Sequence, residues 1–327
     1  MTTQSDIPAV DHLWRRMLAN RRVLFGGIML LVVVGLCVAT VPWTLFHSES
    51  RYHFDYQDDM LPAIAPGWQV HSDPLDQTSP LVDSRAYIFG TDKLGRSILG
   101  RCLMGGTISL AVGIAAAMIS VLLGVTVGML AGYRGGWVDA LLMRFVDIMY
   151  GLPYVLLVIL FKIAFEPFLE RALGTKASAN IVTMFVAIGL VSWLTMARVV
   201  RGQVLSIRSQ PYIEACRAMG LPQTRIFLRH ILPNLVGVVI VYATLTVPVA
   251  ILQESFLSFL GIGVAAPMPS WGSLAAEGVS QAFQPYRSSW WMLAFPCIFL
   301  GVTLLCLNFV GDGLRDIFDP KREAAKI

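Results

Sequence analysis

Charge is scarce in this chain of 327 residues: 14% of positions are charged and 56% hydrophobic, against about 25% and 45–50% in soluble domains. A purely soluble globule is excluded. Lysine is rarer still, and none of Lys93, Lys162, Lys176, Lys321 and Lys326 follows a glycine. The Gly-x-x-x-x-Gly-Lys-Ser/Thr loop that cradles nucleotide phosphates is therefore missing. His12, His47, His53, His71 and His230 form no His-Glu-x-x-His zinc helix, and no Gly-x-Ser-x-Gly elbow occurs, which removes two common hydrolase chemistries. The five cysteines, Cys37, Cys102, Cys216, Cys297 and Cys306, show no metal-site or redox spacing and read as small buried hydrophobes rather than disulfide partners. No short-period repeat appears, so a solenoid is excluded.

What the chain has in abundance is long apolar runs. A hydrocarbon core about 30 Å thick needs roughly 20 apolar residues at 1.5 Å each. Residues 23–46, 108–131, 140–165, 180–197, 235–260 and 291–310 qualify, which predicts an all-α integral membrane protein of six transmembrane helices. The first run exceeds a secretory core of roughly 7–15 residues and ends in Pro42-Trp43, so it is expected to stay as an anchor.

Arginine placement orients the chain, because short cytoplasmic loops collect Lys and Arg. Arg15, Arg16, Arg21 and Arg22 precede the first span, and Arg198, Arg201, Arg208, Arg217, Arg225 and Arg229 fill the 198–234 loop; residues 166–177 hold only Arg171 and Lys176. Both termini are expected to be cytoplasmic. The net charge of +4 follows from that bias, and no nucleic-acid partner is expected. The organisation reads as a basic segment and anchor helix over 1–46, an external loop over 47–104, a membrane domain over 105–312 and a tail over 313–327. In the external loop Pro62, Pro66, Pro74 and Pro80 break any long helix, and Tyr52, Tyr56 and Trp68 are candidate interfacial anchors.

The most informative stretch is cytoplasmic. Pro211 suits a first helical position and Gly220 the position just past a helix end, so a short helix is predicted over 211–219. Tyr212, Ala215, Cys216 and Met219 fall on one stripe, with Glu214 and Arg217 beside it. A helix this short needs a surface to pack against. Spacing alone leaves two readings even: a helix that packs on its own chain, or one that docks on a partner protein.

Particular residues tip that balance. Glu214-Ala215, Gly220 and the downstream His230, Leu232, Pro233 and Asn234 resemble the Glu-Ala-Ala…Gly loop of bacterial ABC importer permeases, with Cys216 where the second alanine usually stands. Phe89-Gly-Thr-Asp92, Gly132-Tyr-Arg-Gly-Gly-Trp-Val-Asp139, Glu254-Ser-Phe-Leu-Ser-Phe-Leu-Gly261, Pro269-Ser-Trp-Gly272 and Gly311-Asp-Gly-Leu-Arg-Asp316 resemble the C-type permease of oligopeptide and dipeptide importers. One departure is Gly95-Arg96-Ser97, where the family normally has an aspartate after the arginine. The resemblance implies a type I ABC importer permease fold in the cytoplasmic membrane. It implies a second, B-type permease, two ATPase subunits that hold ATP and Mg²⁺, and an extracytoplasmic peptide-binding protein. It assigns ATPase coupling to Tyr212, Glu214, Ala215, Cys216, Arg217, Ala218, Met219, Gly220 and Leu221, with Arg229, His230, Pro233 and Asn234 as loop support. No catalytic, cofactor or metal residues are expected in this chain. A permease for nickel chelates or a peptide-like antibiotic shares these motifs; a channel or an intramembrane enzyme would need a pore ring or paired catalytic groups that do not occur.

Charges within spans are functional candidates by default, since each costs about 2.5–3.5 kcal/mol or more at the bilayer centre. Arg144 and Asp147, at i and i+3, are expected to pair with each other, and Lys162 to snorkel outward. Glu254, with Gln253 and Ser258, is a candidate for the translocation pathway, where it would attract a peptide's amino end or contact the partner permease. Its other reading is a cap for the turn at Gly261 and Gly263. Gly124, Gly128 and Gly132 form an i, i+4, i+8 stripe that predicts a close helix contact, internal or with a partner.

Overall fold

The computed structural model describes residues 20–57, 64–67, 87–284 and 288–318. The candidate residues Arg15, Arg16, Trp68, Pro62, Pro74 and Pro80, and the tail from 319, lie outside them. Among the described residues there are ten helices: α1 Arg21–Val41, α2 Ile98–Arg134, α3 Gly136–Tyr150, α4 Tyr154–Leu173, α5 Lys176–Arg208, α6 Pro211–Ala218, α7 Gln223–Ile226, α8 Leu232–Phe259, α9 Trp271–Ala282 and α10 Trp291–Phe318. Short π-helical turns extend α1 through Pro42–Phe46 and join α7 to α8 through Phe227–Ile231.

Five helical stretches are long and apolar enough to cross a membrane, and the bent pair α3 and α4 supplies a sixth. The expected third span, 140–165, is thus corrected. It is two helices at 99° to each other, because Gly151-Leu152-Pro153 sits in its middle and a proline removes an N–H and disfavours helix in the residue before it. The other predicted spans fall inside longer helices. α2 begins at Ile98, ten residues before the apolar run, and α5 continues to Arg208, so Arg198 and Arg201 belong to a helix rather than to a loop.

The centre of the fold is the pairing of α2 with α5. A Cβ on Gly124 would lie 2.5 Å from Met196 Cβ, on Gly128 2.5 Å from the Ala197 carbonyl oxygen, and on Gly132 2.8 Å from Val204 Cβ. The glycine stripe therefore marks a contact inside this chain, where absent side chains let two backbones meet. Partner numbers rise together, so α2 and α5 run in the same direction. Gly135 and Gly136 then adopt positive φ values of 67° and 58°, a corner that glycine enters without steric cost. Asp139, just past this corner, receives both arms of the Arg201 guanidinium at 2.5 and 2.6 Å, which fixes α3 against α5.

At the other end of the bundle, charge is buried. The Asp92 carboxylate accepts Arg96 Nε at 2.7 Å and Arg101 Nη1 at 2.8 Å, and Arg101 also donates to both oxygens of Glu277 at 2.6 and 3.0 Å. Asp92 and Arg101 expose 2% and 3% of their side chains. The network joins the 87–97 loop and α2 to α9. Ser97 caps α2 by accepting from Gly100 N; a serine serves as well as an aspartate there, which explains how the departure from the family pattern is accommodated. In Pro269-Ser-Trp-Gly272 each residue has a distinct task. Ser270 closes a capping box with Ser273, Trp271 is fully buried and donates Nε1 to the Cys102 carbonyl at 3.0 Å, and Gly272 lets the Ser255 backbone approach.

Candidate functional site

The short helix α6 forms where punctuation placed it. Pro211 occupies its first turn and Gly220, with φ 74°, follows its end. Leu221 N donates to Cys216 O at 3.1 Å and Gly220 N to Arg217 O at 3.0 Å, the paired bonds that close a helix through a left-handed glycine. The buried side is a correction, however. Ile213 and Cys216 face inward, 0% and 7% exposed, among Met129, Met196, Val200, Val204, Ile226, Ile231 and Leu235. Tyr212 and Met219 are 44% and 71% exposed, and Glu214, Ala215, Arg217, Ala218 and Gly220 are also exposed. Of the predicted stripe Tyr212–Ala215–Cys216–Met219 only Cys216 turns inward; periodicity could not tell that the other three point outward while Ile213 anchors the helix.

Three ties hold α6 and its surroundings to the bundle. Tyr133 donates Oη to the Gln223 carbonyl at 3.1 Å and meets Phe227 edge-on, 5.2 Å between centroids. Arg208 donates to the Tyr133 carbonyl at 3.0 Å. Asn234 donates to the His230 carbonyl at 2.6 Å and reaches the Tyr212 hydroxyl at 3.5 Å. Leu221 and the His230 ring are half-buried, whereas Arg229 and Pro233 are exposed. The site is therefore an apolar root, packed on α2 and α5, under an exposed patch.

The pathway candidates part company with expectation. Glu254 is 0% exposed and Ser258 4%. Its carboxylate accepts from Ser109 Oγ at 2.9 Å and Ser258 Oγ at 2.6 Å, while Ser258 Oγ accepts Val264 N at 3.0 Å. Glu254 thus secures the turn after α8 and, among the described residues, is enclosed by the chain itself. Gln253 is half-buried, and its Oε1 has no partner in the described structure. Lys162 donates to the carbonyls of Ile262 and Gly263 at 2.6 and 3.0 Å, so it caps that same turn from outside instead of snorkelling. Asp147 pairs with Arg198 at 2.7 Å and not with Arg144, because α3 packs against α5 and brings Asp147 within reach of a guanidinium on the neighbouring helix. That pair, with Tyr150 beneath Arg198 at 4.0 Å, went unnoticed in the sequence. The available signal was an arginine within helical reach of an apolar span.

All five cysteines are free, and Cys297 is exposed. Tyr52 and Tyr56 are half-buried; the Tyr52 backbone lies against Gly100, where a Cβ would meet it, so Tyr52 packs on the chain itself.

A multi-span helical membrane protein that roots one short exposed helix in its core has the build of a transport subunit moved through contact. Residues 124–324 match the family described as binding-protein-dependent transport system inner membrane component, and the chain belongs to that family as a multi-pass protein of the cytoplasmic membrane. It is 44% identical, over 94% of its length and 90% of the relative, to the oligopeptide transport system permease protein OppC of Escherichia coli K12. It is 41% identical to OppC of Haemophilus influenzae over 94% and 87%, and 40% identical to the dipeptide transport system permease protein DppC of Bacillus subtilis 168 over 94% and 84%. An inward-facing structure of the MetNI methionine ABC transporter superposes with a TM-score of 0.52 at 19% identity, covering 65% of this chain and 94% of that one. It shares the fold.

Proposed function

We propose that this chain is the C-type permease of an ATP-driven importer of oligopeptides or dipeptides. The oligopeptide and dipeptide permeases it resembles over 94% of its length support that cargo. Its partners are a B-type permease, two ATPase subunits and an extracytoplasmic peptide-binding protein, and both termini face the cytoplasm. ATP and Mg²⁺ reside in the ATPases. Coupling runs through Glu214–Gly220, and the observation that carries this assignment is the outward side of α6: Tyr212, Glu214, Ala215 and Met219 stand exposed on a helix whose Ile213 is fully buried. Nucleotide-driven motion of an ATPase pushes that patch, and the rigid α2–α5 pair carries the displacement into the membrane. An ATPase that binds two transporter states with different affinity supplies the bias that alternating access needs.

The test is Glu214→Lys in the complete transporter. ATPase co-purification or peptide uptake falls sharply while the binding protein retains its peptide. Uptake and docking at wild-type levels would overturn the assignment. Mass spectrometry of the ligand that co-purifies with the associated binding protein separates peptide cargo from a nickel chelate or an antibiotic.

A further inference from the structure

The Arg198–Asp147 pair is the most exposed ion pair among the described residues. Arg201 and Asp139, one turn away, form a two-armed clamp with Asp139 only 15% exposed, which suffices to staple α3 to α5. Arg198 and Asp147 touch through one contact and expose 37% and 65% of their side chains. Arg198 also lies over the face of Tyr150 at 4.0 Å. Beside them the backbone leaves the helix at Gly151-Leu152-Pro153, and all three residues are exposed.

Depth makes this exposure informative. Asn180 donates to Glu166 at 3.2 Å and accepts from Ala265 N at 2.9 Å, which sets α4, α5 and the turn after α8 level at the outer end. Counting inward at 1.5 Å per residue, the break before Tyr154 is about 18 Å below that level and Arg198 about 27 Å, both within the roughly 30 Å of a hydrocarbon core. Lipid does not tolerate the bared backbone, and the ion pair beside it lies toward the inner boundary of the core. Non-helical backbone at membrane depth occurs only inside protein or beside a water-filled cavity, and ionisable side chains there face a cavity or one another.

We propose that Arg198, Asp147 and Tyr150, with the bared backbone at 151–153, line the inner part of the translocation path, and that the ion pair parts to receive the charged ends of the cargo. Arg198 takes the peptide carboxylate and Asp147 the ammonium. This rests on the peptide reading above. A pair so exposed is weak, so exchanging partners costs little, and the Tyr150 ring keeps the guanidinium in place when the carboxylate leaves it. No covalent step is involved. The matching of two opposite charges to two termini favours zwitterionic peptides, whereas a purely structural pair would be indifferent to the ends of the cargo.

The experiment uses the complete transporter in proteoliposomes, with the exposed Cys297 replaced by serine. Asp147→Cys and, as a variant that spares the ion pair, Leu152→Cys are treated with a charged, membrane-impermeant methanethiosulfonate; Leu160→Cys, within the apolar run of α4 and 57% exposed, is the control. Labelling at 147 and 152 but not at 160 is expected. Absence of labelling at both would overturn the path. Uptake is then compared for one peptide with free, N-acetylated or C-amidated ends. Arg198→Gln slows the free-carboxylate form about tenfold and leaves the amidated form unchanged, the size of one lost charge-assisted bond; Asp147→Asn does the same for the free-amine form against the acetylated one. Equal slowing of all forms in normally assembled complexes would reduce the pair to a staple and refute the recognition. A wild-type complex that carries no peptide overturns the cargo reading and with it the assignment of termini, while labelling still decides whether this face lines a path.

Discussion

Gly128→Ala adds a single methyl where the α2 and α5 backbones meet most directly. The new Cβ would stand 2.5 Å from the Ala197 carbonyl oxygen, 2.9 Å from Val200 Cβ and 3.1 Å from Arg201 N. Optimal separations are about 3.5–4.0 Å, and two of these three atoms are backbone, which no rotamer change can move. The helices must therefore separate by about 1 Å, a gap that forfeits a quarter to a half of the dispersion well at neighbouring contacts. Overpacking of this kind costs about 1–3 kcal/mol, and alanine returns about 1 kcal/mol of helix propensity over glycine. With two backbone atoms in the clash, it takes the upper part of that range, and the difference leaves a net loss of up to about 2 kcal/mol. Gly202 on α5 supplies the control, since a Cβ there meets nothing within 4 Å; Gly202→Ala is expected to be neutral or to stabilise by up to about 1 kcal/mol. Heating the purified transporter in detergent and measuring the surviving monodisperse fraction should place Gly128→Ala below wild type and Gly202→Ala at or above it. A Gly128→Ala protein as heat-resistant as wild type would refute the close-contact argument.

Two further substitutions address the buried polar groups. Arg101→Ala leaves Asp92 buried with Arg96 as its remaining guanidinium and is expected to destabilise by about 3–5 kcal/mol. Because the groups form one network, the double variant with Asp92→Ala should cost less than the sum of the singles, and strict additivity in thermal stability would count against the network. Glu254→Gln replaces an acceptor by an amide where Ser109 and Ser258 hydroxyls both donate, their lone pairs being taken by Trp271 N at 3.4 Å and Val264 N at 3.0 Å. The expected loss is about 1–3 kcal/mol, read as earlier melting, and an unchanged melt would show that the hydroxyls do not fix the turn.

The sequence by itself determined the solvent, the apolar runs long enough to cross it and the punctuation of the 211–220 segment. Those properties are local: an apolar run is long enough or it is not, proline starts a helix and glycine ends one. It also located the glycine stripe, because spacing of i and i+4 puts residues on one face whatever that face meets. Tertiary structure decided what each face meets. Ile213, not Tyr212 or Met219, became the root of α6, because the bundle offers an apolar socket only on that side. The packing of α3 on α5 gave Asp147 to Arg198, a partner 51 residues away, rather than to its helical neighbour Arg144. Glu254 went from a charge in a span to a buried anchor because three serines from two helices converge on it. Periodicity reports direction around one helix axis, and only packing fixes which direction is inside.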